Sequence, residues 1–224
     1  MKNLEKMLFE GTRENNINKV RWALNLGADI TKRDRLKRCP LHYTTSKKDL
    51  ELAKFLILLG ADVNAKDWMD RVPIHNTRNI ETVRLLVESG ADLSVKEGVS
   101  EFPILHNYID CSDNLEIFKF LIPLGIDVNA SDCDGYTTLH RIADSVCNLS
   151  RLVDIMVLHG ADINAKNKFG ETPLHIAVKR ENAILVESIY KAGADTTIED
   201  NNGLMPYSVK NNSRIRRILI QRRK

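Results

Sequence analysis

The chain has 224 residues, 43% of them hydrophobic and 28% charged, a balance that supports a folded protein and excludes a predominantly disordered one. The formal net charge is only +3, which argues against nucleic acid as an obligate partner. The longest apolar run, Phe55 to Ala61, falls far short of the ~20 residues of a membrane helix. No apolar N-terminal stretch of secretory type is present.

In chain order, the first segment (1–32) sets Lys6, Glu10, Arg13 and Glu14 among Leu4, Met7 and Leu8, which predicts a helix with one wet face. Gly27-Ala-Asp29 closes this segment. The same triplet then returns at 60–62, 90–92, 160–162 and 193–195, with Gly125-Ile-Asp127 between, in steps of 33, 30, 35, 35 and 33 residues. A second marker keeps the same phase: Pro40-Leu-His42, Pro73-Ile-His75, Leu105-His106, Leu139-His140 and Pro173-Leu-His175. The markers define a cap at 1–32, repeats at 33–65, 66–95, 96–130, 131–165 and 166–198, and a terminal unit at 199–224.

Each repeat reads as a helix pair. Thr172 stands where a hydroxyl caps a helix, and Pro173 follows at the first helical position, where its missing N–H is harmless. The replacements Cys39, Val72, Pro103 and Met205 at the same position are expected to forfeit that cap. Apolar residues such as Leu52, Ala53 and Leu56 recur with helical spacing, and glycine ends the second helix in the left-handed conformation. The 66–95 repeat is three residues short, and Pro123 interrupts the second helix of the 96–130 repeat. Such short helix pairs bury their apolar faces only by stacking on their neighbours. The last segment carries seven basic residues between 203 and 224 and no acidic one, leaving −4 for the rest of the chain.

The stretch Gly170-Glu-Thr-Pro-Leu-His-Ile-Ala-Val178, an apolar helix and Gly193-Ala-Asp195 together resemble an ankyrin repeat, and the 33-residue beat matches that family. The resemblance spans the whole chain. It implies an all-α solenoid of stacked helix-turn-helix units with short β-hairpin-like turns, about seven units including caps, in a single domain over 1–224. It also implies a monomeric, non-catalytic scaffold that needs no cofactor or metal and grips another protein on a concave face built from turn tips and first helices. Five of the six histidines share one repeat position. Stacked units lie ~8–10 Å apart, whereas zinc ligands all sit ~2 Å from one ion, so these side chains cannot share a metal. In the family this histidine bonds the backbone of an adjoining turn.

The turn tips are Arg35-Leu36, Trp68-Met69, Gly98-Val99, Cys133-Asp134, Lys168-Phe169 and Asn201-Asn202. Leu36, Trp68, Met69 and Phe169 are apolar where water alone would select polar residues, and aromatics, Met and Arg concentrate at protein interfaces. Arg38, Arg71, Phe102 and Tyr136 precede the first helices on the same expected side. The footprint expected from these residues centres on Trp68 and Met69 with basic flanks at Arg35, Arg38 and Arg71, which suits an acidic or amphipathic protein partner. The segment Lys32–Arg38 also has the composition of a nuclear-import or acidic-partner patch.

Arg216, Arg217, Arg222 and Arg223 offer a second reading as phosphate contacts to nucleic acid or a membrane surface, or as part of an adaptor. Cations at a helix C-terminus are also favourable without any ligand. Asn64, Asn129 and Asn164 resemble the ankyrin asparagines hydroxylated by an oxygen-sensing dioxygenase. Cys39, Cys111, Cys133 and Cys147 lack metal or disulfide spacing and read as free thiols of a reducing compartment. The expected location is cytoplasmic, with nuclear entry or delivery into a host cell as variants, the latter by analogy with ankyrin proteins of intracellular bacteria and large DNA viruses. No nucleophile elbow, phosphate loop or paired metal-ligand motif is present, so no enzyme and no small-molecule substrate are expected.

Overall fold

The computed structural model describes residues 3–110, 114–208 and 213–220, which fall into two compact units, 1–99 and 100–224. The division lies inside the repeat expected at 96–130.

The first unit opens with α1 (Asn3–Arg13) packed on α2 (Ile17–Asn25). A 3-10 turn (Pro40–Tyr43) and α3 (Leu50–Leu58) form the next pair, and α4 (Pro73–Asn76) with α5 (Ile80–Glu88) the third. First elements stack on first elements, α1 on 40–43 and 40–43 on α4, while α3 packs on α5. The three-residue shortening of the 66–95 repeat is absorbed by α4, which is a single turn of four residues.

The second unit contains a 3-10 helix (Ile104–Tyr108), α6 (Leu115–Leu121), α7 (Thr138–Asp144), α8 (Ser150–Leu158), α9 (Pro173–Lys179), α10 (Ala183–Lys191) and α11 (Ser213–Ile220). Here α6 packs on α8, α8 on α10 and α10 on α11; the first elements run in parallel, 104–108 on α7 and α7 on α9. Pro123 does not break α6 abruptly. The helix tightens into a 3-10 turn over Ile122–Leu124 and ends, as expected, at Gly125.

One stripe explains the stacking. Leu52-Ala53-Leu56, Thr82-Val83-Leu86, Ile117-Phe118-Leu121, Leu152-Val153-Met156 and Leu185-Val186-Ile189 are all buried, at positions i, i+1 and i+4 of successive second helices. That spacing puts three side chains on one helix face. The second helices α2, α3, α5, α8 and α10 then stop the same way. Gly60 has φ +87°, its N–H reaches Ile57 O at 2.9 Å, and Ala61 N–H reaches back to Leu56 O at 3.0 Å. This double closure satisfies the terminal carbonyls; the Ala–Met step at 161 and 156 repeats it at 2.9 Å.

Among the described residues there is no strand; the hairpin-like turns contribute isolated bridge residues, among them the antiparallel pair Ser131–Thr137. No helix among them is long and apolar enough to cross a membrane. One sequence expectation is corrected: Cys39 and Cys133 carry free thiols, but Cys147 is engaged in a disulfide. Cys111 lies outside the described residues.

Candidate functional site: the turn tips

Five of the six turns are organised by one buried or half-buried Asp or Asn; the Gly98-Val99 turn has Glu97 at that position. Asp67 Oδ1 accepts from Met69 N–H at 2.8 Å and Arg71 N–H at 3.1 Å, while Asp67 N–H closes the hairpin on Arg71 O at 2.8 Å. Asp34, Asp132, Asn167 and Asp200 repeat this arrangement; for Asn167 both acceptor bonds, from Phe169 and Glu171, are 2.9 Å. A short side chain bonding its own backbone two residues on is a turn device. These five positions were missed as functional in the sequence, although their recurrence at the repeat period was visible.

The turn also demands a left-handed residue three positions after the Asp or Asn. Gly135, Gly170 and Gly203 supply it in the second unit, whereas Lys37 (φ +54°) and Asp70 (φ +59°) adopt it with a side chain in the first. Neighbouring tips are tied by backbone. Trp68 N–H donates to Leu36 O at 3.1 Å and Gly98 N–H to Met69 O at 2.7 Å; in the second unit Cys133 N–H reaches Ser100 O, Lys168 N–H Asp134 O, and Asn201 N–H Phe169 O at 2.9–3.0 Å. The tips are thus a hydrogen-bonded ladder rather than loose loops.

The histidines hold the turns from beneath. His140 Nδ1 accepts from Thr137 N–H at 3.2 Å and Nε2 lies 2.9 Å from Glu171 O, in the following repeat. An acceptor at Nδ1 fixes the proton on Nε2, which then donates to the carbonyl. His42 to Arg71 O (3.0 Å), His75 to Val95 O (3.2 Å) and His175 to Leu204 O (3.0 Å) repeat the bridge. Burial pushes all four below the ordinary imidazole value, and His75 down to about 4. The threonines stand at the helix starts as expected, in a reciprocal box with the histidine three residues on: the Thr137 and Thr172 side chains face the N3 backbone, and each hydroxyl also sits 2.9 Å from the histidine Nδ1. Cys39 substitutes its Sγ at 3.1 Å from His42 Nδ1, and Val72 keeps the backbone bond to His75 at 3.3 Å without any hydroxyl.

The predicted contact residues lie where the tips place them. Trp68 is 56% exposed, Phe169 53% and Leu36 43%, with Met69 half-buried beside Trp68 and Val99 almost fully in water. The basic flank is altered. Arg71 pairs with Asp67 through Nε (3.0 Å) and Nη2 (2.9 Å) and approaches Glu97 at 3.8 Å; Arg38 Nε reaches Asp67 at 3.4 Å. Burial raises the proton affinity of Asp67, but the guanidinium and backbone donors outweigh it and hold the carboxyl below its usual range. The charges of Arg38 and Arg71 are therefore satisfied internally, whereas Arg35 is exposed and forms no salt bridge with a described residue.

In the second unit Phe102 and Tyr136 are half-buried and sandwich Arg141, whose guanidinium stands 5.1 and 4.7 Å from their ring centres. Tyr136 also meets Phe169 edge-on at 6.5 Å. They join in an aromatic cluster that the separate sequence positions did not announce. A cavity of about 450 Å³ beside it is lined by Tyr136, Phe169 and Ile176, and by the ion pairs of Lys179 with Glu171 and Arg180 with Asp144.

Asn64 is a bidentate staple: its Nδ2 donates to Gly90 O at 2.9 Å and its Oδ1 accepts from Asp92 N–H at 2.8 Å. Asn129 does the same to Gly160 and Asp162, and Asn164 Oδ1 accepts from Asp195 N–H at 2.8 Å. Arg216 and Arg217 are exposed on α11; Arg222 and Arg223 lie outside the described residues. No group of three or more His, Cys, Asp or Glu side chains suited to a metal occurs among the described residues.

Comparison with known proteins agrees with this architecture. Models described as ankyrin repeats match residues 37–68, 74–166 and 156–209. The ankyrin repeat-containing protein P1E11.10 of Schizosaccharomyces pombe is 40% identical over 85 residues, covering 38% of this chain and 39% of the relative. The ankyrin repeat protein FPV031 of Fowlpox virus is 35% identical over 103 residues, covering 45% of this chain and 28% of the relative. The chain thus spans well under half the length of these curated relatives. The crystal structure of the ankyrin repeat domain of Bcl-3 superposes with a TM-score of 0.78 at 24% identity, covering 95% of this chain and 97% of that one. The repeat markers, the histidine bridges and the three matching models agree on one assignment: this chain belongs to the ankyrin-repeat family.

Proposed function

We propose that the chain is a non-catalytic binding module that captures a protein partner through its turn tips and the adjoining first helices. The supporting observation is that Trp68, Leu36 and Phe169 hold large apolar side chains in water on a backbone ladder that is already ordered. Exposed aromatics on a rigid frame lose little conformational freedom on binding, which concentrates affinity in few residues. The likeness to a fowlpox protein supports a host-directed role. The test is affinity capture from cell extract with wild type and with Trp68→Ala/Met69→Ala. Partners retained by wild type and lost by the double variant support the reading; equal recovery of every partner removes the footprint.

A further inference from the structure

At the start of the first unit, α1 and the turn 33–38 enclose a cavity of about 650 Å³. Half-buried Tyr43 and exposed Leu36 line it; Phe9, 1% exposed, meets the Tyr43 ring edge-to-face at 6.2 Å from beneath, and the Arg13 guanidinium lies over that ring at 4.7 Å. The acidic side chains in the lining are already engaged. Glu10 lies 3.8 Å from Lys6 and 3.3 Å from Lys19. Asp34 accepts from Tyr43 O–H and Leu36 N–H and pairs with Arg13 at 3.4 Å.

The cations are not matched in return. Lys32, Arg33, Arg35, Lys37 and Arg38 crowd one turn, and only Arg38 forms a salt bridge with a described residue. Arg33 Nη1 donates to two carbonyls, Lys66 O at 2.6 Å and Lys37 O at 3.2 Å, which order the guanidinium without neutralising it. The result is a cavity lined by Tyr43 and Leu36, with uncompensated positive charge along one wall that Arg33 holds in place. Its size lies within the ~300–1,000 Å³ range of ligand sites and exceeds what one side chain fills.

We propose that this cavity docks a short acidic segment of a partner protein carrying one large apolar side chain. The apolar group lies against Leu36 and the open part of Tyr43, and the flanking carboxylates meet Arg33 and Arg35, with Lys32 and Lys37 adding to the attraction. This rests on the reading of the turn face as a protein-binding surface and names the chemistry of one end of it. A nucleic acid fits less well, because Glu10 and Asp34 interrupt any continuous basic track.

The experiment uses the whole protein and fluorescein-labelled peptides: a short Asp/Glu-rich peptide with one central Phe, the same peptide with Ser for Phe, and a Lys-rich counterpart. Anisotropy is expected to show saturable binding of the Phe peptide with Kd below about 1 mM, corresponding to roughly 4 kcal/mol. Replacing Phe by Ser, or Arg35→Glu in the protein, weakens it about tenfold or more; added salt weakens it further. Arg35 touches nothing that holds the fold, and Leu36→Ser provides a second variant with the same expected loss. Trp68→Ala leaves the peptide affinity unchanged.

No saturation below that limit, equal binding of the Ser peptide, or indifference to Arg35→Glu overturns the assignment. Equal binding of a single-stranded oligonucleotide, insensitive to Leu36→Ser, overturns it in favour of simple polyanion attraction. If the peptide fails while Trp68→Ala/Met69→Ala still loses partners, only this inference falls. If the peptide binds while that double variant keeps every partner, the Trp68 footprint falls and the cavity stands.

Discussion

Lowering the pH from 7 to 5 should destabilise the chain through its histidines, well before its carboxylates titrate. The reasoning is clearest at His75, which is buried, bonded at Nδ1 by Val72 N–H and held down to about 4 from an ordinary 6.5. The unfolded chain takes up a proton near 6.5, whereas the folded one resists until about 4. Stability is therefore fully present above the unfolded value and is lost as pH falls towards the folded one. Linkage puts the loss at about 2 kcal/mol between pH 7 and 5 for this residue. His42, His140 and His175 shift in the same direction and add to it. Denaturant titrations at pH 7, 6 and 5 measure the effect, with His75→Gln as comparison. That variant should be less stable at pH 7 by about 1–3 kcal/mol, since Val72 N–H and Val95 O lose a well-placed partner. Its pH dependence should be visibly shallower than that of wild type. A wild-type midpoint that does not move between pH 7 and 5, or a variant with the same slope, would refute the assignment of the ring as a neutral bridge.

Three further outcomes follow from the turns. A Cβ at Gly170 would stand 2.7 Å from Asn201 N, whereas one at Gly160 meets nothing within 4 Å, although both glycines are left-handed (φ +75° and +86°). Gly170→Ala should cost about 2–4 kcal/mol by thermal unfolding and Gly160→Ala about 1; equal costs would show that the tips can separate freely. Asp67→Ala strips two backbone donors and two guanidinia of their acceptor, and should cost about 3 kcal/mol in the same assay; a loss under about 0.5 would mean that the turn does not depend on it. Burial raises the Cys39 thiol above its ordinary range, while Cys133 is exposed. A disulfide reagent should therefore label Cys133 in the native protein and Cys39 only with unfolding, and rapid native labelling of Cys39 would contradict the buried pairing with His42.

The sequence made the repeat legible because two markers, Gly-Ala-Asp and Pro-Leu-His, mark backbone events that only a few residue types permit: a left-handed helix stop and a helix start over a bridging imidazole. It placed Leu36, Trp68 and Phe169 at the tips for the same reason, since turn length fixes tip position. It failed where a side chain's partner is a turn residue or lies a repeat away. Arg38 and Arg71 read as free basic flanks because Asp67, 29 residues from the first and four from the second, reads as an ordinary turn residue. Thr172 reads as a cap from its position, but the histidine ring it also meets is fixed by Leu204 O, 29 residues beyond that histidine, which no local pattern shows. Asn64 shows the same limit, being visible as a recurring residue but not as a bond to Gly90 and Asp92. Pairing within the turn and across the repeat together decides which charges remain for a partner.

The central claim is that the tips themselves touch the partner, and site-directed photo-crosslinking tests it most directly. A photoreactive side chain placed at Val99, which is 99% exposed at the edge of the first unit's ladder, should give a covalent adduct with the captured protein. The same group at Leu58, 84% exposed on α3 away from the tips, should give none. Adducts from Leu58 with none from Val99 would place the partner on the outer helices and contradict the account.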